Sequence, residues 1–269
     1  MSRRLRLALP GAALVVATFV AAALLLDGSD ASSSPVPVVA PAPLPLPAPV
    51  SAAIRIPERA APLPDPDNLS RWLALLRPTA ARAAPGTQAP VLARLTPQTP
   101  EGTTNIVLAV GDRLDRAGRL WLEVRLPVLP NGTTGWIPRS ALGGNNFVRT
   151  RLVVDSSRFT ATLFSDGRPV FRARVGVGQP RWPTPRGVFY IRNKLTSYRS
   201  PFYGPVAFGT SARSATLTDW PAGGFIGIHG TNRPDLLPGR VSHGCIRMRN
   251  ADILRLAELM PLGTPLTIL

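Results

Sequence analysis

Alternation of apolar and polar positions organises the chain beyond residue 100. Leu120, Leu122, Val124 and Leu126 alternate with Trp121, Glu123 and Arg125, the period-two pattern of a half-buried strand, and a Pro130-Asn131-Gly132 turn leads into Gly135-Trp136-Ile137-Pro138. Phe159, Ala161 and Leu163 alternate with Thr160 and Thr162; after Asp166-Gly167, Phe171, Ala173, Val175 and Val177 alternate with Arg172 and Arg174. An Asp-Gly pair between two alternating runs predicts a β-hairpin. Further short strands are predicted around Val188–Ile191, Val206–Phe208 and Phe225–Ile228, and a helix near Ala251–Met260, started by Asn250 and stopped by Pro261-Leu262-Gly263. A short helix is also predicted over Leu69–Leu76, capped by Asn68 and ended near Pro78. The expected fold class is mostly β.

Before residue 100 the pattern changes. Arg3, Arg4 and Arg6 precede an apolar stretch from Leu7 to Leu26, with Asp27 and Asp30 behind it, which is the layout of an export signal. The stretch is just long enough to span a bilayer, and Ser29-Asp30-Ala31 offers a small-residue cleavage site, so a membrane anchor and a removed signal peptide both fit. Export places the protein in the cell envelope, either periplasm or cell wall. From Ser32 onward the chain is rich in Pro and Ala, and proline fixes φ and removes backbone donors, so an extended spacer follows. The resulting division is a signal or anchor over 1–31, a linker with a short helix over 32–87, a small β-domain over 88–145 and a larger β-domain over 150–269.

Charge narrows the partners only slightly. The formal net charge is +16, and Lys194 is the one lysine, so arginine supplies nearly all of it. Such a field attracts anionic polymers, but no basic run is interleaved with aromatics as a nucleic-acid stacking surface requires, and nucleic acid is not an expected partner.

The chemistry is concentrated in one place. The only cysteine, Cys245, and both histidines, His229 and His243, fall within Ile228-His229-Gly230-Thr231 to Ser242-His243-Gly244-Cys245-Ile246-Arg247. A thiol attacks as thiolate, and a nearby imidazole is the usual means of removing its proton, so the segment reads as a cysteine acyl-transfer site. The spacing lacks the paired short intervals of a zinc site and offers no fourth ligand, and no metal or other cofactor is expected. A single exported cysteine has no internal disulfide partner and stays a free thiol. Gly244 permits a turn that separates His243 from Cys245, so spacing alone leaves open which histidine is the base. Backbone N–H groups of His243, Gly244 and Cys245 are the candidate oxyanion donors, because glycine lets the main chain approach closely. Arg247 is a candidate carboxylate binder, with Ser242, Tyr203, Gly230 and Trp220 as further candidates around the pocket. Asp235, the only acid inside the segment, reads as a loop cap.

The run Gly227-Ile228-His229-Gly230-Thr231 followed by Ser242-His243-Gly244-Cys245-Ile246-Arg247-Met248 resembles the signature of L,D-transpeptidases of the YkuD type. The likeness extends from about Arg151 to Leu269 and includes Thr184-Pro185-Arg186-Gly187 and Tyr203-Gly204; Arg247 stands where many members have Asn. It implies a β-sandwich with a short helix beside the site, His229 as base and a backbone carbonyl near Gly230 orienting its ring. It also implies peptidoglycan stem peptides as substrate: Cys245 would expel D-Ala from a tetrapeptide and pass the acyl group to a diaminopimelate amine, giving a 3-3 cross-link. Hydrolysis of the same thioester, making a carboxypeptidase or amidase, and a non-catalytic wall-binding role are the competing expectations. Gly135–Leu142 resembles the last strand of bacterial SH3-like domains, which implies a small SH3-like β-barrel ahead of the catalytic part.

Overall fold

The computed structural model describes residues 69–196, 200–217 and 224–269. The predicted signal or anchor, residues 32–68 of the predicted linker and Trp220 lie outside the described residues. The fold is mostly β, with one α-helix among the described residues.

The N-terminal sheet contains β1 (Ser70–Leu75), β2 (Thr79–Arg82), β3 (Val91–Leu95), β4 (Ile106–Leu114), β5 (Leu120–Arg125), β6 (Thr134–Pro138) and β7 (Leu142–Val148). They pair antiparallel in the order β3-β2-β6-β5-β4-β1-β7. The predicted helix over 69–76 is therefore corrected to a strand, and part of the stretch read as linker belongs to this sheet. The cause is burial on both faces. Leu73 and Leu75 enter the core of this sheet beside Val107, Leu122 and Val124, while Trp72 and Ala74 pack on the other side against Ile106, Leu108 and Tyr190. A strand covered on both sides reads as a continuous apolar run, with no alternation to separate it from a short helix. Trp121 is buried, its indole N–H donating to Asp115 at 2.9 Å, so it is a core group; Trp136 is half-buried with the Arg113 guanidinium 5.4 Å over its ring.

The second sheet is built from β8 (Thr150–Asp155), β9 (Thr160–Ser165), β10 (Arg168–Arg174), β11 (Gly176–Gly178), β12 (Gly187–Leu195), β13 (Ala207–Arg213), β14 (Phe225–His229), β15 (Gly239–Ser242), β16 (Ile246–Arg247) and β17 (Pro265–Ile268). Their order is β10-β9-β8-β17-β12-β13-β14-β16-β11-β15. The β9–β10 hairpin forms as its alternation predicts. Asp166 and Gly167 take φ of 47° and 75°, the left-handed pair that a two-residue turn between twisted strands demands.

Leu152, Val154, Ala161, Leu163, Val175 and Val177 face one core, closed by α1 (Asn250–Leu259) through Ile253 and Leu256. Asn250 is the first helical residue and not the cap, and its side chain serves the site. Tyr190 joins the two sheets: it is fully buried and its hydroxyl donates to the Ile106 carbonyl at 3.0 Å.

Candidate active site

Strand pairing brings the two ends of the motif together. β14 runs parallel to β16, with Ile228 opposite Ile246 and His229 opposite Arg247, so the residue just before β16 lies beside Gly227. That residue is Cys245, whose Sγ accepts the Gly227 N–H at 3.4 Å. A Cβ placed on Gly227 would lie 3.8 Å from the sulfur and 3.8 Å from His229 Cδ2, so thiol and imidazole border one small space that the missing side chain leaves open.

His229 is held firmly. Its ring is 3% exposed, Tyr203 packs against it at 4.7 Å, and Nδ1 sits 2.6 Å from the Gly230 carbonyl. A carbonyl only accepts, so Nδ1 carries the proton and Nε2 keeps its lone pair. Burial drives the imidazole pKa down from 6.5 to about 4; the Gly230 carbonyl opposes this and Arg247 adds to it. Burial also pushes the Cys245 thiol up, with the Gly227 N–H and Arg247 pulling back. Both shifts disfavour charge, so at neutral pH the pair rests as thiol and neutral imidazole.

His243 goes elsewhere. Gly244 has φ of 115°, turning the chain, and the His243 ring is exposed and stacked at 4.2 Å on Trp182. Ser242 braces this turn and is fully buried: its hydroxyl donates to the Cys245 carbonyl at 2.6 Å and accepts the Gly244 N–H at 3.1 Å. Thr184, from the Thr-Pro-Arg-Gly stretch, adds a second brace by donating to the Gly244 carbonyl at 2.7 Å and accepting the Gly178 N–H at 2.8 Å. One sequence reading changes here and one gains a role. The Gly244 N–H is committed to Ser242 and leaves the oxyanion set, and Ser242 shapes the turn.

Gly230 is corrected as well. It is buried, it does not border the cavity, and a Cβ there would collide with Asn250 Oδ1 and stand 3.1 Å from Gly204 Cα. Asn250 Oδ1 accepts the Thr231 N–H at 2.9 Å, tying the turn after His229 to the start of α1. Asp235 is exposed and paired with Arg233 at 2.9 Å, away from the thiol's cavity.

The cavity holds about 310 Å³, and His229, Cys245, Arg247, Tyr203, Ser242 and His243 all border it. That is the small end of the range for ligand pockets. Arg247 borders the cavity, and its Nε is buried with no hydrogen-bond partner among the described residues. Its remaining wall is Phe202, Ser214, Leu217, Gly224, Phe225 and Ile226. Phe202 comes from the turn before β13, and the other five from the end of β13 and the start of β14.

Comparison with known proteins identifies a family. A family model for the L,D-transpeptidase catalytic domain, YkuD, matches residues 149–268. A Bacillus subtilis protein named as the L,D-transpeptidase YkuD is 32% identical over 175 residues, which is 65% of this chain and 98% of that protein. Its Bacillus licheniformis namesake is 36% identical over 118 residues, 44% of this chain and 64% of the relative's length. The catalytic domain of an Enterococcus faecium L,D-transpeptidase aligns at 26% identity over 45% of this chain and 96% of that one, with a TM-score of 0.34. With nearly the full length of the Bacillus subtilis relative matched, and the family's domain covering the sheet that carries Cys245 and His229, this chain belongs to the L,D-transpeptidase family of the YkuD type.

Proposed function

We propose that the protein is a cysteine-dependent peptidoglycan L,D-transpeptidase that forms an acyl-enzyme on Cys245 from a stem tetrapeptide, releases D-Ala and transfers the acyl group to an amine to make a 3-3 cross-link. The observation that carries this reading is the shared space at Gly227, bordered by the Cys245 sulfur and by an imidazole whose Nδ1 is tied to the Gly230 carbonyl.

The chemistry follows from the resting state. Nε2 of His229 takes the thiol proton as sulfur attacks the peptide carbonyl, so no isolated charge is buried before bond formation. The tetrahedral oxyanion takes hydrogen bonds from the main chain at His243 and Cys245, each such donor being worth about 3–4 kcal/mol. His229 returns the proton to the leaving D-Ala amine, and the thioester then passes its acyl group to a diaminopimelate side-chain amine. Arg247, on the cavity wall, binds a stem carboxylate. The N-terminal sheet is read as an SH3-like domain, and the segment over 1–31 as the device that brings the enzyme to the envelope, as anchor or removed signal.

The test is incubation with purified tetrapeptide muropeptides. Dimers linked 3-3 establish transfer, tripeptide alone establishes hydrolysis, and turnover that persists in Cys245→Ala rejects both enzymatic readings. Mass spectrometry during the reaction should show an adduct on Cys245.

A further inference from the structure

The Pro130-Asn131-Gly132 turn looks from the sequence like a simple hairpin connection, yet it reaches from the N-terminal sheet to the end of β13. The Asn131 side-chain amide donates to the Arg213 carbonyl at 2.7 Å and accepts the Arg213 N–H at 3.0 Å. One residue's N–H and C=O are thus both satisfied by a single side chain, the pairing that a neighbouring antiparallel strand would supply. Arg213 is the last residue of β13 and pairs with Phe225, the first of β14. One step beyond, the Ser214 N–H donates to the Gly224 carbonyl at 2.8 Å, and the Ser214 hydroxyl accepts the Leu217 N–H at 3.0 Å. Ser214, Leu217, Gly224 and Phe225 all border the cavity over Cys245.

A second contact reaches the same wall. Glu101, on the β3–β4 loop, accepts from Arg192 at 3.4 Å and from Asn193 at 3.2 Å, and the buried Arg192 guanidinium lies 3.9 Å over the Phe225 ring. The N-terminal sheet therefore holds the Arg213 side of this wall directly and the Phe225 side through Arg192. The apolar cluster around Tyr190, Ile106 and Trp72 already joins the two sheets, so these polar contacts are not needed merely to attach them.

We infer that Asn131 is a positioning residue for the catalytic domain: by clamping Arg213 it fixes the wall of Ser214, Leu217 and Phe225, and so sets how the donor peptide fits beside Cys245. The inference rests on the reading of Cys245 as a nucleophile toward stem peptides. Asn131 touches no substrate and acts through the root of the β13–β14 hairpin.

The full chain carrying Asn131→Ala is compared with wild type, with Asn131→Asp, which keeps the acceptor and loses the donor, as the milder change. Amide hydrogen exchange at Arg213, Ser214 and Leu217 is expected to rise about tenfold, as local opening of that wall becomes easier. Alkylation of Cys245 by iodoacetamide should stay within about twofold, because a small electrophile meets only the thiol. The KM for a tetrapeptide muropeptide should rise roughly five- to thirtyfold with kcat changed less, the loss expected from one or two hydrogen bonds. Asn131→Asp should fall between. Unchanged exchange, or alkylation, kcat and KM all worsening together, would overturn the inference. Should wild type leave the tetrapeptide untouched, the proposed function fails, while exchange at the wall still decides whether Asn131 positions it.

Discussion

Protonation of His229 offers the sharpest test of the site. Its ring is sealed against water and accepts a proton only near pH 4, whereas in the unfolded chain it does so near 6.5. Between those values the unfolded state binds more protons, so stability must fall as pH falls, with the whole loss present below about pH 4. A difference of that size corresponds to about 3 kcal/mol. His229→Gln does not titrate, and carboxylates shared by both proteins cancel in the comparison. The stability advantage of wild type over His229→Gln, measured by urea unfolding, should therefore shrink by about 3 kcal/mol between pH 7.5 and pH 3.5. In His243→Ala a single imidazole signal remains, and NMR should place its midpoint near 4. Acylation of Cys245 by tetrapeptide should lose rate on the acid side around the same pH, because the base stays neutral until then. A midpoint near 6.5, or a wild-type advantage that does not change with pH, would refute the sealed neutral base and the concerted proton transfer built on it.

Other substitutions probe the surrounding frame. Ser242→Ala strands the Gly244 N–H and the Cys245 carbonyl, and thermal unfolding should register about 1–3 kcal/mol for each group left without a partner. Gly227→Ala meets only ordinary contacts, so the protein should fold with its Tm nearly unchanged, yet the added methyl enters the space between sulfur and imidazole. Iodoacetamide labelling of Cys245 in that variant should slow by about tenfold or more; an unaltered rate would show that the two groups do not cooperate. Arg247→Leu should raise KM for tetrapeptide by roughly 10- to 100-fold, the worth of a charge-assisted hydrogen bond, and by much less for a substrate whose carboxylates are amidated.

The β9–β10 hairpin and the chemistry-bearing segment were legible because their information is local. Alternation shows wherever one face of a strand is wet, Asp-Gly encodes a turn within adjacent residues, and two histidines with the lone cysteine stand close in the chain. β1 was not legible. Its Leu73 and Leu75 serve one core while Trp72 and Ala74 serve the contact between the sheets, and only the presence of both neighbours makes it a strand. Gly230 misled for a related reason, since residue type gave its chemistry but not its partners.

What the sequence determined by itself is the inventory: mostly β architecture, a single thiol, two histidines close to it in the chain and an arginine beside it. Tertiary structure decided the assignments. Parallel pairing of β14 with β16 brings His229 and Cys245 to the one space at Gly227, while the turn at Gly244 sets the His243 ring against Trp182 beside the same cavity. Packing likewise disfavours charge on both groups, since the cost of charging a group depends on how much water the folded chain removes from it.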